Sequence, residues 1–330
     1  MKFGSRPSAE ATGTILAHAL AGASGRVSKG TVLTDADIAD LQAAGHETLT
    51  VATLDPGDVE ENTAAETLAA ALVPNPEGQG LRISAAGAGR VNLYASGPGI
   101  VALDADQIAA MNGVDPMITI ATVPPFHRVD SGTMVATIKI IAYAVPQITL
   151  DKACANPGNT IHVRAPSYRT ATLIETQVGN AEPSAKGRAA LIGRLDRLDV
   201  ALTPRVVVPH RDNALAHAIG QADGDVVFIL TASATSDIHD VAPTAVQEAG
   251  GTITAYGMPV DPGNLLFFGT LGDKPVIGLP GCARSPALNG ADWVLERLIC
   301  GIELTQDDIS RMGVGGLLKE IPTRPRPREG

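Results

Sequence analysis

Aromatic residues are scarce: Phe, Trp and Tyr together make up 3% of the 330 residues. That is too few for the stacking platforms on which single-stranded nucleic acids lie. Basic residues are also outnumbered, Lys+Arg 25 against Asp+Glu 35, for a net charge of −10. A surface that neutralises phosphates with clustered Lys and Arg is therefore not expected, and nucleic acid is excluded as a partner. No apolar run reaches the roughly 18 residues of a membrane span; the longest, Met134 to Val145, is broken by Lys139. The start of the chain lacks the apolar core of about 7–15 residues that marks a secretory leader, so the expected compartment is the cytoplasm. The three cysteines, Cys154, Cys282 and Cys300, form no C-x-x-C pair. That excludes a disulfide framework and a zinc site and fits a reducing compartment. Missing too are G-x-G-x-x-G, G-x-x-x-x-G-K-[ST] and G-x-S-x-G, the marks of dinucleotide, P-loop and nucleophile-elbow folds.

What is present is glycine and proline, 35 and 23 residues, and with them many tight turns. The length predicts two domains. Residues 1–165 read as a β-rich α+β domain. Thr34, with Asp37 three residues on, predicts a capped helix that Gly45 ends. A second helix is predicted over 59–72, a third over 104–111, and strands over 47–53, 81–85, 89–95, 99–103, 117–122 and 133–143. Residues 151–160 look like a boundary. From 166 to 318 the rhythm changes to alternating Val/Ile-rich strands (170–176, 205–210, 225–231, 252–257, 265–271, 274–280) and helices (184–198, 212–222, 241–249, 285–300). That alternation predicts a three-layer α/β domain with a mainly parallel sheet. The Pro/Arg-rich segment 319–330 reads as a tail or linker.

In such sheets ligands bind beyond the carboxyl ends of the strands. One candidate segment there runs from Thr231 through Ala232, Ser233, Ala234, Thr235, Ser236 and Asp237 to His239 and Asp240. Small residues after a buried strand let backbone N–H groups approach a ligand, and the next helix offers its positive end to an anion. Asp240 is either a catalytic carboxylate or only the cap of that helix. A second candidate is Gly278 to Pro286, in which Ser285-Pro286 has the form of an N-cap followed by Pro at the first helical position. Cys282, within it, reads as a small hydrophobe more readily than as a nucleophile, since nothing in the sequence supplies a base. The third is Gly257 to Asn264, dense in turn residues, where the plain alternative is a hairpin connection.

These three loops resemble the molybdopterin-binding superfamily, which includes the MogA, MoaB, MoeA and gephyrin proteins. The family's Thr-Gly-Gly-Thr-Gly loop with a downstream Asp-Val is matched by Thr231 to Thr235 with Asp240-Val241. Its Pro-Gly turn is matched by Asp261-Pro262-Gly263-Asn264, and its Gly-Leu-Pro-Gly-Asn-Pro-x-Ser by Gly278-Leu279-Pro280-Gly281-Cys282-Ala283-Arg284-Ser285. The chain looks like the molybdopterin-binding half of bacterial proteins that carry a MobA-like nucleotidyltransferase after it. The resemblance implies molybdopterin or the molybdenum cofactor as ligand. It would be held by Thr231, Ser233, Ala234, Thr235, Ser236, Asp237, Pro262, Gly263, Asn264, Pro280, Gly281, Cys282 and Ser285. It also implies a homo-oligomer and delivery to a nucleotidyltransferase or a molybdoenzyme. The alternative is an active enzyme, adenylylating molybdopterin or inserting molybdate, with Asp240 as the catalytic residue and Mg²⁺ beside it. A phosphate-ester hydrolase of the CinA type is a third reading. Ala232, Ser233 and Ala234 stand where the family has glycines, at a cost of about 1 kcal/mol or more wherever φ must be positive. Asp261 and Asn264 stand where the family tends to carry cations, and an Asp there would repel molybdate.

Overall fold

The computed structural model describes residues 1–155 and 158–318. The expected tail at 319–330 lies outside the described residues, as do 156 and 157 within the expected boundary segment. The chain divides into two compact units, one of Met1–Gly97 with Val101–Val163, the other of Pro98–Ile100 with the chain from Arg164 onward.

The first unit is built from short antiparallel sheets. Lys2–Pro7, Thr48–Thr53 and Ile15–Leu16 form one of three strands, with Thr48–Thr53 in the middle. The helix Asp35–Ala43 accompanies it, and Leu33, Ile38, Leu41, Leu49 and Val51 close a small core. The expected capping box is there: Thr34 accepts from the Asp37 N–H and the Asp37 carboxylate accepts from the Thr34 N–H. Gly45 follows the helix at φ +91°. A four-stranded sheet runs in the order Ile118–Thr122, Met134–Ile140, Arg90–Ala95, Leu81–Ile83. Its inner face (Val91, Leu93, Ile138, Ile140) packs with Ala65, Leu68 and Leu72 of the helix Glu61–Leu72. The two ends of that packing differ from the sequence reading. The helix starts at Glu61, because Asp58–Glu60 pairs as a strand with Ala144–Pro146. For the same reason the long strand expected over 133–143 stops at Ile140, and the chain bends before joining that second pairing.

The second unit holds a seven-stranded sheet. Its elements are β1 (Thr170–Gln177), α1 (Ala185–Leu195), β2 (Ala201–Leu202), β3 (Val206–Pro209), α2 (Asp212–Gly220), β4 (Val226–Leu230), α3 (Val241–Glu248), β5 (Thr252–Tyr256), β6 (Phe267–Leu271), β7 (Lys274–Gly278), α4 (Gly290–Ile299) and α5 (Gln306–Arg311). The order is β2 and β3 beside β1, then β4, β7, β6 and β5. β1, β2, β3, β4 and β7 pair in parallel, while β6 runs antiparallel to both its neighbours. β4 reads VVFIL and is buried along its whole length, as a strand covered on both faces must be. On one face Ile174, Val227, Ile229 and Val276 pack with Leu215 and Ile219 of α2 and with Ala245 and Val246 of α3. On the other face Leu230 meets Gly187 of α1. Arg194 of α1 and Asp292 of α4 form a buried ion pair at 2.5 Å.

One helix start is corrected. The helix expected over 285–300 begins at Gly290, capped by a box between Asn289 and Asp292, and Ser285 instead ends a short 3-10 turn over Gly281–Arg284. A residue remote in sequence holds this segment. Arg194 uses every N–H of its guanidinium: Nε to Asp292, Nη1 to the carbonyls of Ala190 and Ala283, and Nη2 to those of Ser285 and Ala287. Three of these carbonyls, of Ala283, Ser285 and Ala287, lie in the segment that stays irregular until the Asn289 cap, so one buried cation ties that segment to α1.

Candidate functional site

β1, β4 and β7 are adjacent and parallel, so the segments that leave their carboxyl ends emerge at one edge of the sheet. These are the 178–184 connection into α1, the 231–240 loop and the 279–289 loop. Arg284 joins the last two: its Nη2 donates to the Thr231 carbonyl at 2.5 Å and its Nη1 reaches the Gly281 carbonyl at 3.5 Å. Beside it a cleft of 660 Å³ lies between the first turns of α1 and the 281–286 loop. Lys186 and Arg284 supply its cations, Ala189, Ala190 and Pro286 its apolar wall, and Gly281, Cys282 and Ser285 its lip. Cys282 and Ser285 are exposed, and the Ser285 Oγ accepts from the Ala287 N–H at 3.2 Å. Pro280 precedes the 3-10 turn and accepts from Ala283.

The cleft depends on Gly187. A Cβ there would stand 2.4 Å from Leu230 Cδ2 and 3.4 Å from Arg284 Cγ. A side chain there would force Leu230 to move, so glycine suits the close approach of α1 to the end of β4.

The 231–240 loop is organised by its own hydroxyls. Thr231 is buried and donates to the Ser233 carbonyl at 2.6 Å, with the Thr235 hydroxyl 3.4 Å away. Thr176, on β1, accepts from the Ala232 N–H at 2.8 Å and shares a 2.9 Å bond with His210 Nδ1. Tyr256 donates its hydroxyl to the Thr235 carbonyl at 3.0 Å. Burial first, then the charges of Asp237 and Asp240, push the Tyr256 hydroxyl above its usual range. None of Ala232, Ser233 or Ala234 has positive φ, so the family's glycines are replaced without left-handed strain. Ser236 and Asp237 line a separate 430 Å³ pocket with Tyr256. Asp240 caps α3: its Oδ1 accepts from Val241 at 2.7 Å and its Oδ2 from Ser236 at 3.0 Å. Among the described residues no group of three or more His, Cys, Asp and Glu is placed to hold a metal ion.

The third loop is built into a different neighbourhood. It connects the antiparallel pair β5 and β6. The Pro262 carbonyl accepts from Gly290, Gly263 sits where a Cβ would come within 2.9 Å of Gly290, and Asn264 reaches the Met258 carbonyl at 3.4 Å. Asp261 exchanges backbone bonds with Gly316 and Leu318. None of Pro262, Gly263 and Asn264 lines the cleft. The structure thus brings Gly281, Cys282 and Ser285 to the cleft and ties Thr231 to it through Arg284.

Sequence reasoning passed over Lys186, Arg284 and Arg194. Arg284 lay inside a quoted motif. Lys186 follows Ser184, which accepts from its N–H and caps α1, a start signal legible in the sequence. Arg194 had no local signal.

Among the described residues no helix is long and apolar enough to cross a membrane. Residues 5–53 match the family described as a domain of unknown function (DUF8806). No curated protein matches the chain. Among solved structures, the molybdopterin biosynthesis MoeA protein from Pyrococcus horikosii is similar over 91% of this chain and 75% of that one, with 15% identity and a TM-score of 0.32. A molybdenum cofactor biosynthesis protein B is similar over 41% of this chain and 96% of its own length, with 18% identity and a TM-score of 0.30.

Proposed function

We propose that the chain binds molybdopterin, or the molybdenum cofactor made from it, in the cleft between α1 and the 281–286 loop. The observation that carries this reading is the cleft itself, formed where the motif Gly278 to Ser285 meets the start of α1. Its 660 Å³ falls within the roughly 300–1,000 Å³ of small-molecule sites. Lys186 and Arg284 fit a phosphate, and the apolar wall of Ala189, Ala190 and Pro286 fits a flat ring. The donor set therefore suits a phosphorylated pterin. The role is in the biosynthesis or delivery of the cofactor, as a cytoplasmic homo-oligomer handing its ligand to a nucleotidyltransferase or a molybdoenzyme. Asp240 caps α3 through Val241 and ties down the Ser236 N–H, and the binding reading asks no catalytic part of it.

The test is the ligand the protein carries. After expression in a host that makes molybdopterin, the purified protein is oxidised and its pterin fluorescence is read against protein concentration. Near-stoichiometric fluorescence is expected, with Lys186→Ala lowering it severalfold. Fluorescence absent from the parent protein, or equal in the variant, overturns the assignment.

A further inference from the structure

The seven-stranded sheet borders a second cavity, at the edge opposite to the cleft. Tyr168 stands just before β1 and Asp273 just before β7, and those strands both run parallel to β4. The cavity that both residues line therefore lies at the amino edge of the sheet. Its volume is 440 Å³, within the roughly 300–1,000 Å³ of small-molecule sites. One wall is the sheet itself, with Thr254 of β5, Phe268 and Thr270 of β6 and Pro275 of β7. The other is the end of α4 and the chain that leaves it, with Leu298, Ile302, Glu303 and Leu304.

Both walls are irregular at the cavity. Thr254 is the extra residue of a bulge, since Ile253 pairs with Gly269 and Ala255 with Phe268. Bulges re-aim a side chain and are common beside binding sites. On the other wall α4 ends at Ile299, and Gly301, at φ +70°, turns the chain. Aromatic residues are only 3% of the protein, yet two of them, Tyr168 and Phe268, line this one cavity. Its charged residues are Asp273 and Glu303, and among the described residues no Lys, Arg or His lines it. Neither carboxylate forms an ion pair or a side-chain hydrogen bond among the described residues. Of the nearby cations, Lys274 donates to the Ala222 carbonyl at 2.5 Å and Arg164 reaches the Gly301 carbonyl at 3.4 Å.

We infer that this cavity is a second binding site, for a small molecule that joins an ammonium group to an apolar body about the size of one ring. Tyr168, Phe268, Leu298 and Ile302 take the apolar body. Asp273 and Glu303 take the ammonium, and the aromatic faces add to the attraction for a cation. Charge complementarity selects the class, since a lining with carboxylates and no cation repels phosphates and carboxylates. The cleft at the carboxyl edge, lined by Lys186 and Arg284, has the reverse preference. The two edges of one sheet thus select ligands of opposite charge. The inference does not depend on the ligand assigned to that cleft.

The experiment is a ligand-observed NMR titration of the full chain at low ionic strength. The probes are phenethylamine, its uncharged counterpart 2-phenylethanol and its anionic counterpart phenylacetate. The amine is expected to bind about tenfold more tightly than the alcohol, and phenylacetate more weakly than either. Asp273→Asn and Glu303→Gln are each expected to weaken the amine roughly threefold or more and to leave the alcohol as in the parent. Their thermal melting should be unchanged, because both side chains are exposed. Tyr168→Ala is expected to weaken amine and alcohol alike. Glu248→Gln, on α3 and outside the cavity, is the control for plain attraction to an acidic protein and should bind the amine as the parent does. Absence of amine binding at millimolar concentration, parental affinity in both carboxylate variants, or an equal loss in Glu248→Gln overturns the site. An alcohol that binds as tightly as the amine overturns the charge selection, and parental affinities in Tyr168→Ala overturn the ring's part in it.

Discussion

Arg194 Nε and Asp292 Oδ1 meet at 2.5 Å with both side chains about 95% buried, and the same guanidinium holds four backbone carbonyls. A buried ion pair is safe only while each charge keeps its partners, and removing one leaves the other stranded. Asp292→Ala is expected to destabilise the protein by about 3–5 kcal/mol, read by denaturant unfolding. Arg194→Met costs in the same range and also frees the Ser285 and Ala287 carbonyls. Its cleft ligand should be lost at temperatures where the fold survives, which pterin occupancy reports.

Gly187→Ala sets two effects against each other. Alanine in a helix gains roughly 1 kcal/mol over glycine. Here its methyl would stand 2.4 Å from Leu230, and overpacking costs about 1–3 kcal/mol. The expected outcome is a melting temperature lowered or barely changed, together with weaker ligand binding as α1 is pushed off β4 and Arg284. A stabilised variant with full ligand occupancy would sink this account of the cleft.

Local signals were legible wherever local bonds decide the structure. The Thr34–Asp37 box and the Asp240 cap formed as their spacing predicts, and β4 is the buried run its composition announces. The misreadings share one cause, a partner distant in sequence. Ser285-Pro286 has the form of a helix start, yet the Ser285 and Ala287 carbonyls meet Arg194, about ninety residues earlier, and the helix starts only after Asn289. The strand expected through Tyr143 breaks because Ala144–Pro146 pairs with Asp58–Glu60. In the candidate site, the motif around Gly281 was visible, whereas the close approach of Gly187 to Leu230 and Arg284 is one that no spacing encodes.

The cysteines should separate by chemistry. Burial, with help from Glu296, pushes the Cys300 thiol up to about 12, so it stays protonated and unreactive in the native protein. Cys154 is also raised, by burial and by Asp151. Cys282 is exposed at the lip of the cleft. Iodoacetamide at mildly alkaline pH is expected to label Cys282 first and Cys300 only on unfolding, with peptide mass mapping as the readout. Bound ligand should slow the Cys282 reaction.

Asp225 gives the second unit a handle on acid. Its Oδ2 accepts from the N–H groups of Arg169 and Thr170 and from the Thr170 hydroxyl, at 2.9–3.0 Å. The backbone bond from Arg169, followed by those from Thr170, holds the carboxyl below its ordinary value of 3.8. A depressed folded value means the unfolded chain takes up the proton first. The stabilisation is therefore complete above the ordinary value, begins to be lost as pH falls through it, and is gone only once pH has fallen through the lower folded value. Asp225→Asn should flatten the loss of stability below about pH 4, measured as unfolding midpoints across pH 2.5–6. Equal slopes in parent and variant would remove Asp225 from the explanation.

Arg284 has one guanidinium and two claims upon it: the Thr231 carbonyl, which it now satisfies at 2.5 Å, and any anion that enters the cleft it lines. A ligand that draws the guanidinium outward leaves that carbonyl to find another donor, and the strain falls on the loop whose Thr235 carbonyl is held by Tyr256 from β5. Occupancy of the cleft and the conformation of the 231–236 loop are then thermodynamically linked, and the linkage is reciprocal. A ligand that fixes the loop from the Tyr256 side would then alter affinity in the cleft by the factor by which a cleft ligand alters its own.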